Sequence, residues 1–461
     1  MVANLSQQVS GIDQLGEWDK KYYLHPTTVP KTFSDNGPKI IFTEGNGIRV
    51  KDAKGDTYID GVSMLWNVNL GHGQKELADA AYEQMTTLAY GSSFYGYSNE
   101  PAIRLAEKVV SIAPGDLSAI YFTSGGSESN DTAFKLARFY WHLKGRKGKK
   151  KIISITNSYH GATVAAGTAT GIDAFHNFAG SRDIDILNAK AHLTNCELGD
   201  KSDPNYEGCI RDTIEKEGSE AIAAVIMEPV QGAGGIHIAP DGYLKAVKDL
   251  CEENDILFIM DEVICGFGRT GKIFGSDNWD IVPDLMSVAK GITSGYSQLG
   301  GVLMSEEIRN TLVQYDQILG HGFTYSGHPT ACAVGLKNLE IIERDKIVEN
   351  AKNMEKELKK GFKYLEDNHA NVAKSRALGL ISAFELQADR DADLPFDKSI
   401  RAAAIVAEEC YKRKLILRTA DFEEGKNIVA IAPPLITKKE DVEEIINIID
   451  DAVTAFENKL E

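Results

Sequence analysis

Lys290 and Asp261 stand where side chains of their types are costly unless used. Asp261 follows the apolar residues 256–260, and Lys290 follows the apolar residues 285–289. Alone, Lys290 reads as a surface lysine at a strand end. Once buried, its amine loses basicity and becomes a nucleophile toward carbonyls. A carboxylate behind so apolar a run needs a cationic partner or strong hydrogen-bond donors. Together the two residues suit pyridoxal phosphate (PLP): a lysine holds the cofactor's aldehyde as a Schiff base, and an aspartate keeps its pyridine nitrogen protonated. The protonated ring can then accept electrons from a substrate carbanion.

Three further motifs supply what such a site needs. Gly125-Gly126-Ser127 leads into a helical pattern with apolar residues at Ala133, Leu136, Ala137, Tyr140 and Trp141. Glycines let the backbone approach closely, and a helix N-terminus attracts an anion such as phosphate. Tyr159-His160-Gly161 places an aromatic ring that can stack on a flat cofactor. His321-Gly-Phe-Thr-Tyr-Ser-Gly-His328 is dense in donors, and Thr324 can donate to a phosphate oxygen. His321 and His328 lack metal-like company, so no metal is expected. No G-x-x-x-x-G-K-[ST] occurs and no G-x-G-x-x-G follows a strand, which argues against nucleotide binding by those routes.

The elements that must position these residues are an alternation of short apolar runs and helical patterns. The runs cover residues 119–122, 151–155, 221–227, 256–260 and 285–289. Runs without polar alternation suit strands buried on both faces of a parallel sheet, and strands alternating with helices imply an α/β fold. The motifs at 123–128, 157–161, Glu228-Pro229, Asp261-Glu262 and Lys290-Gly291 each follow one run. They converge on the rim where ligands bind in open α/β sheets. From about residue 330 the pattern predicts a long helix to about 368, a strand at 380–386, and a helix at 398–412. Strands follow at 415–418 and 428–431, with a last helix over 438–459. This reads as a small α+β domain, completed by strands near 46–61. Residues 1–45 read as an arm that packs on something else.

Composition bounds the class. The 461 residues carry a net charge of −17, with 43% hydrophobic and 25% charged residues, an ordinary globular balance. The acidic balance argues against a nucleic-acid partner. The basic run 146–151 reads as a solvated loop. Six scattered cysteines without C-x-x-C spacing disfavour disulfide and zinc frameworks and suit a reducing compartment. The N-terminus lacks the features of a signal peptide, and no segment approaches the ~20 apolar residues of a spanning helix. The expectation is a cytoplasmic protein with no membrane partner.

Asp261-Glu-Val-Ile-Cys-Gly-Phe-Gly-Arg-Thr-Gly271 with Lys290-Gly291 resembles the signature of class III (omega) aminotransferases. Leu65-Trp66, Gly71-His72-Gly73, Gly126-Ser127-Glu128, Ser158-Tyr-His-Gly161, Glu228-Pro229, Gln231-Gly-Ala-Gly-Gly235 and Phe323-Thr-Tyr-Ser-Gly-His-Pro329 match in order. The resemblance spans roughly residues 40–460. It implies PLP fold type I: a large domain with a mainly parallel seven-stranded sheet plus a smaller α+β domain, in a homodimer with shared active sites. The implied division is an arm and part of the small domain over 1–75, a PLP-binding domain over 76–330, and a C-terminal small domain over 331–461. Carried over, Lys290 would hold the cofactor and shuttle the proton, and Asp261 would bind the pyridine nitrogen. Tyr159 and Val263 would pack on opposite ring faces. Gly126 and Ser127 would bind phosphate with Thr324 of the neighbouring subunit. His160, Gly161 and Glu228 would lie near the cofactor.

The resemblance is closest to the amine–pyruvate subgroup. Trp66 follows Leu65 as in that subgroup, and Phe94 or Tyr95 could form an aromatic wall with it. Arg418 matches the subgroup's mobile arginine, which binds a keto acid's carboxylate bidentately and swings away for an uncharged amine. Tyr159 would also face the substrate. The expected reaction moves an amino group from an amine or omega-amino acid to a keto acid, pyruvate first, by ping-pong chemistry. Other aminotransferases of the class (diaminopelargonate, 4-aminobutyrate or ornithine type) and a PLP decarboxylase or aminomutase share the scaffold. Ser127-Glu-Ser-Asn-Asp131 and Ala162 after Tyr159-His160-Gly161 depart from the acetylornithine and diaminopelargonate patterns and favour the amine–pyruvate reading. Gly125 stands where relatives often carry serine, which removes one possible phosphate donor.

Overall fold

A computed structural model describes residues 12–178, 183–190, 206–420 and 427–460. Its centre is a seven-stranded sheet of β1 (Leu117–Thr123), β2 (Lys151–Ile155), β3 (Ile186–Ala189), β4 (Ile222–Met227), β5 (Leu257–Asp261), β6 (Leu285–Val288) and β7 (Gly300–Ser305). The strands lie in the order β1-β7-β6-β5-β4-β2-β3. Pairings β6-β5, β5-β4, β4-β2 and β2-β3 are parallel, while β7 runs antiparallel to both β6 and β1. The sheet is the mainly parallel one expected, with β7 as its single reversed strand.

Burial on both faces explains the unbroken apolar runs. Ala224 and Ile226 of β4 pack with Phe134, Leu136 and Trp141 of the helix α1 (Gly126–Leu143). Val225 and Met227 face the other way, onto Leu244 and Val247 of the helix Tyr243–Glu253. Every residue of β4 and β5 is buried. Chain polarity then delivers the following residue of each strand to one rim, and there the polar motifs gather.

Beside this sheet lie two smaller ones. A four-stranded sheet joins Phe42–Asn46, Arg49–Asp52, Thr57–Asp60 and Leu415–Ile416. A five-stranded one holds Val372–Leu378, Ile381–Asp389, Leu394–Pro395, Arg418–Thr419 and Ile428–Ile431. Residues 415–418, expected as one strand, are two short ones in different sheets. Leu415 pairs with Ile59, whereas Arg418 pairs with Ala430. The long helix expected over 330–368 is also two, Pro329–Arg344 and Ile347–Asn368, broken where Lys346 takes a left-handed φ of 51°.

The basic run 146–151 is the loop expected, with Lys147 and Lys150 exposed, but it is not solvated throughout. Lys149 is 1% exposed, its ammonium donating to the carbonyls of Ser219 and Ile222 and lying 4.8 Å from the Trp141 ring centroid. Arg146 pairs with Glu220 and Asp255, and Lys151 with Glu217. The five cysteines at 209, 251, 265, 332 and 410 are free and buried, and Cys196 lies outside the described residues. Among the described residues no helix is long and apolar enough to cross a membrane, and no His/Cys/Asp/Glu group could hold a metal ion.

Candidate active site

Asp261 is the last residue of β5 and is 3% exposed. Its Oδ2 accepts from Asn130 Nδ2 at 2.8 Å and contacts His160 Nδ1 at 2.8 Å. Its Oδ1 accepts the Val263 N–H at 3.0 Å. Asn130 lies in the first turns of α1, and its Nδ2 also donates to the His160 carbonyl at 2.7 Å. One amide thus ties the carboxylate to the backbone of the Tyr159-His160-Gly161 motif. Among the described residues, His160 Nε2 and Asn130 Oδ1 are buried without a hydrogen-bond partner.

Lys290 opens a turn after β6 with φ 46°, a left-handed conformation that a lysine adopts only when its surroundings hold it there. Burial pulls its amine below the ordinary lysine range, and the negative charges of Asp261 and Glu228 oppose that pull. A larger neutral fraction makes a better nucleophile. Arg418 faces the same space: it also lowers the Lys290 amine, while burial lowers its own guanidinium.

The phosphate-sized end is built from backbone. The 18-residue helix α1 starts at Gly126 with no side-chain cap, so its first N–H groups point outward unpaired by a cap. A Cβ on Gly126 would sit 2.8 Å from Val263 Cγ1. A Cβ on Gly161, at φ 141°, would sit 2.5 Å from Ser127 Oγ. Ser127 Oγ accepts the Ala162 N–H at 3.1 Å, which fixes the turn against the helix start. The cradle is therefore closed to side chains at two glycines.

Glu228 is buried, with Oε1 accepting the Tyr159 N–H and Oε2 the Gly232 N–H, each at 2.9 Å. It holds the backbone of the tyrosine beside the site. Burial, with Asp261 nearby, pushes its carboxyl up to about 7 against the pull of His160 and the two N–H donors. Glu262 points away, accepting from the N–H groups of Gly275 and Ser276, and burial pushes it to about 7 as well. Tyr159 meets Phe175 edge to face at 5.3 Å, and burial raises its phenol.

Trp66 is 3% exposed, and Arg418 Cζ lies 4.3 Å from its ring centroid, a cation–π contact. The structure thus brings together Lys290, Asp261, His160, Tyr159, Glu228, Val263, Gly126, Ser127, Gly161, Trp66 and Arg418. It gathers Phe94, Tyr95 and Thr324 elsewhere. Phe94 packs on Gly322, Tyr95 is 93% exposed, and Tyr90 Oη donates to the Thr324 carbonyl at 2.8 Å. Among the described residues no ring pairing joins Phe94 or Tyr95 to Trp66.

Sequence reading assigned no role to Asn130, Asp60 and Arg269. Asn130 is marked by its spacing from Gly126 and Ser127 on one helix face. Asp60 closes a strand as Asp261 does, and Arg269 sits in the glycine-rich stretch after β5. Arg269 is fully buried, and burial lowers its guanidinium to about 9 against the pull of Asp60. It donates to the carbonyls of Leu380 and Pro433, to Ser63 Oγ and to Asn69 Oδ1.

A family model described as "Aminotransferase class-III" matches residues 32–453. The chain is 37% identical to the putrescine–pyruvate aminotransferase of Pseudomonas aeruginosa, over 94% of each chain. It is 37% identical to the diaminobutyrate–2-oxoglutarate transaminase of Halomonas elongata, over 96% of each. A crystal structure of a transaminase from the marine bacterium Virgibacillus superposes with a TM-score of 0.94 at 44% identity, covering 97% of this chain and all of that one.

The two buried carboxyls predict a pH effect on the apoprotein. Each ionises near 4.5 when unfolded and near 7 when folded. Between those values the folded chain keeps a proton that the unfolded chain has lost, so raising pH costs stability, on the order of 3 kcal/mol per group. The depressed Lys290 amine acts oppositely, its contribution growing as pH rises toward 10.5. Thermal midpoints should fall from pH 4.5 to about 7, and Glu228→Gln should flatten part of that slope. An unchanged slope in the variant would contradict the assignment.

The chain belongs to the class III aminotransferases and, as such, is a PLP-dependent enzyme.

Proposed function

We propose that this aminotransferase takes amino groups from amines or omega-amino acids and delivers them to pyruvate, with the residues around Asp261 and Lys290 as its active site. The carrying observation is the convergence of a buried carboxylate, a lysine of lowered basicity and an uncapped helix start at one strand rim. The cofactor, when bound, supplies an electron-accepting ring that lets the proton beside the donor nitrogen leave.

The chain's own groups do the rest. Asp261, held by three donors, would hold the cofactor's ring nitrogen in its protonated form. Lys290 Nζ would anchor the cofactor covalently and act as the base that moves the proton at the substrate carbon. Tyr159 and Val263 would pack beside the cofactor, Glu228 fixes the Tyr159 backbone, and the N-terminus of α1 with Ser127 would hold the phosphate. His160, through Nδ1, orients Asp261, and Gly161 leaves room for Ser127. Trp66 bounds the substrate space, and Arg418 supplies the carboxylate contact. Folded onto Trp66, Arg418 leaves the site apolar enough for an uncharged amine; turned toward pyruvate, it offers a two-pronged contact.

Thr324, Phe94 and Tyr95 enter this reading through a second copy of the chain. Tyr82, Tyr95, Tyr97, Ile103, Ile318 and Tyr325 are each more than half exposed, unusual for large apolar groups on a monomer. A homodimer buries this surface, and there Thr324 reaches the partner's phosphate end while Phe94 or Tyr95 completes the partner's pocket wall. An active monomer in sedimentation analysis would contradict it. The division at residues 75 and 330 and a cytoplasmic setting belong to the same reading.

The acceptor names of the two relatives, pyruvate and 2-oxoglutarate, define the test. Donor amines are supplied with each keto acid, and alanine or glutamate formation is measured. Turnover with pyruvate is expected with a diamine, an omega-amino acid or an arylalkylamine. Arg418→Leu should raise the KM for pyruvate about tenfold or more while leaving the KM of an uncharged amine within about twofold. Activity with 2-oxoglutarate alone, or equal KM changes for both substrates, would overturn the acceptor and the Arg418 assignment respectively.

A further inference from the structure

Between the strand Thr57–Asp60 and Trp66 the backbone makes a turn that side chains resist. Ser63, Met64 and Trp66 have φ of 48°, 56° and 56°, and none is glycine. Such conformations persist only where the surroundings over-determine them. Here two buried charges do so. Asp60, 0% exposed, accepts the Val62 N–H at 3.2 Å and the Met64 N–H at 2.9 Å on Oδ1, and the Met64 N–H again at 3.0 Å on Oδ2. His72 Nε2 meets Oδ2 at 2.9 Å. From the other side Arg269 donates to Ser63 Oγ at 2.9 Å, and Ser63 Oγ donates to the Ala432 carbonyl at 2.8 Å.

We propose that Asp60 is a positioning residue that sets how large an amine the site accepts, by holding the strained turn that carries Trp66. This rests on the reading of Trp66 as a wall of the substrate space. The Trp66 indole packs in an apolar cluster with Val230, Ala233 and Ile264, and among the described residues its Nε1 has no hydrogen-bond partner, so the turn, not a hydrogen bond of the ring, sets where it starts from the backbone. The ring in turn carries Arg418 at 4.3 Å. Oδ1 accepts the Val62 and Met64 N–H groups and Oδ2 shares the Met64 N–H, so a carboxylate suits: an asparagine of the same shape would turn an NH2 toward the Met64 N–H. Asp60 touches neither Lys290 nor Asp261 and leaves their chemistry alone.

The test compares a small alkylamine with a bulky arylalkylamine, both with pyruvate, in the full-length holoenzyme. Asp60→Asn should raise the bulky-to-small ratio of kcat/KM about tenfold, mostly through KM, with the cofactor's visible band unchanged. His72→Leu removes the His72 contact, leaves the carboxylate in place, and should shift the ratio the same way but less. It carries the test if Asp60→Asn does not fold. Dissociation constants for each amine, titrated spectrally without acceptor, should move in parallel. In a Trp66→Ala background, Asp60→Asn should no longer change the ratio. Equal losses for both amines, or a shift that persists without Trp66, would overturn the proposal. If Trp66→Ala alone leaves the ratio unaltered, the wall reading fails and the proposal falls with it. A shift in Trp66→Ala but none in Asp60→Asn or His72→Leu defeats the clamp alone.

Discussion

The carboxylate of Asp261 is the constraint on which the site depends. A lone charge at the end of a strand as buried as β5 would cost several kcal/mol. The fold meets that cost with donors from three parts of the chain: Asn130 on α1, His160 after β2, and the Val263 backbone just past β5. The same contacts dock the start of α1 and the Tyr159 motif onto the strand end. The hydrogen bonds that Asp261 accepts therefore also place the start of α1 and the Tyr159 motif. Lys290 closes the set from β6, beside two carboxylates whose charge partly offsets the effect of its burial.

A second buried pair, Asp60 and Arg269, does similar work a layer away. Arg269 reaches from the loop after β5 to the turn at Ser63 and to the carbonyls of Leu380 and Pro433. It thereby couples the large sheet's rim to the segment carrying Trp66 and to the five-stranded sheet carrying Arg418. The two make no direct contact, but the Asp60 charge opposes the effect of burial on the Arg269 guanidinium. The residues around Asp261 and those around Asp60 thus sit on separate but adjoining polar networks.

How much of this was legible in the sequence follows from where the information lies. β1, β2, β4, β5 and β6 stand out because strands buried on both faces must be apolar throughout. The polar residues that follow them mark the rim, so Lys290, Asp261, Tyr159 and Glu228 could be read directly. β3 is four residues with a half-buried centre, and β7 opens with Gly300-Gly301, so neither carries a strand pattern of its own. The strand Phe42–Asn46 is largely exposed and polar. Asn130 and Arg269 escaped because their roles are tertiary, each acting on residues tens or hundreds of positions away, and Asp60 because its near neighbours Val62, Met64 and His72 reach it only through a turn of positive φ that no glycine marks. Lys149 looked like a solvated lysine for the same reason, since only the fold supplies its two carbonyls and the Trp141 ring.

The account stands or falls on which lysine holds the cofactor. Borohydride reduction of the holoenzyme, followed by proteolysis and mass spectrometry of the peptides, reads this directly. The account predicts a single pyridoxyl adduct, on Lys290, that disappears in Lys290→Ala. An adduct on any other lysine, or none after full loading with cofactor, would contradict it.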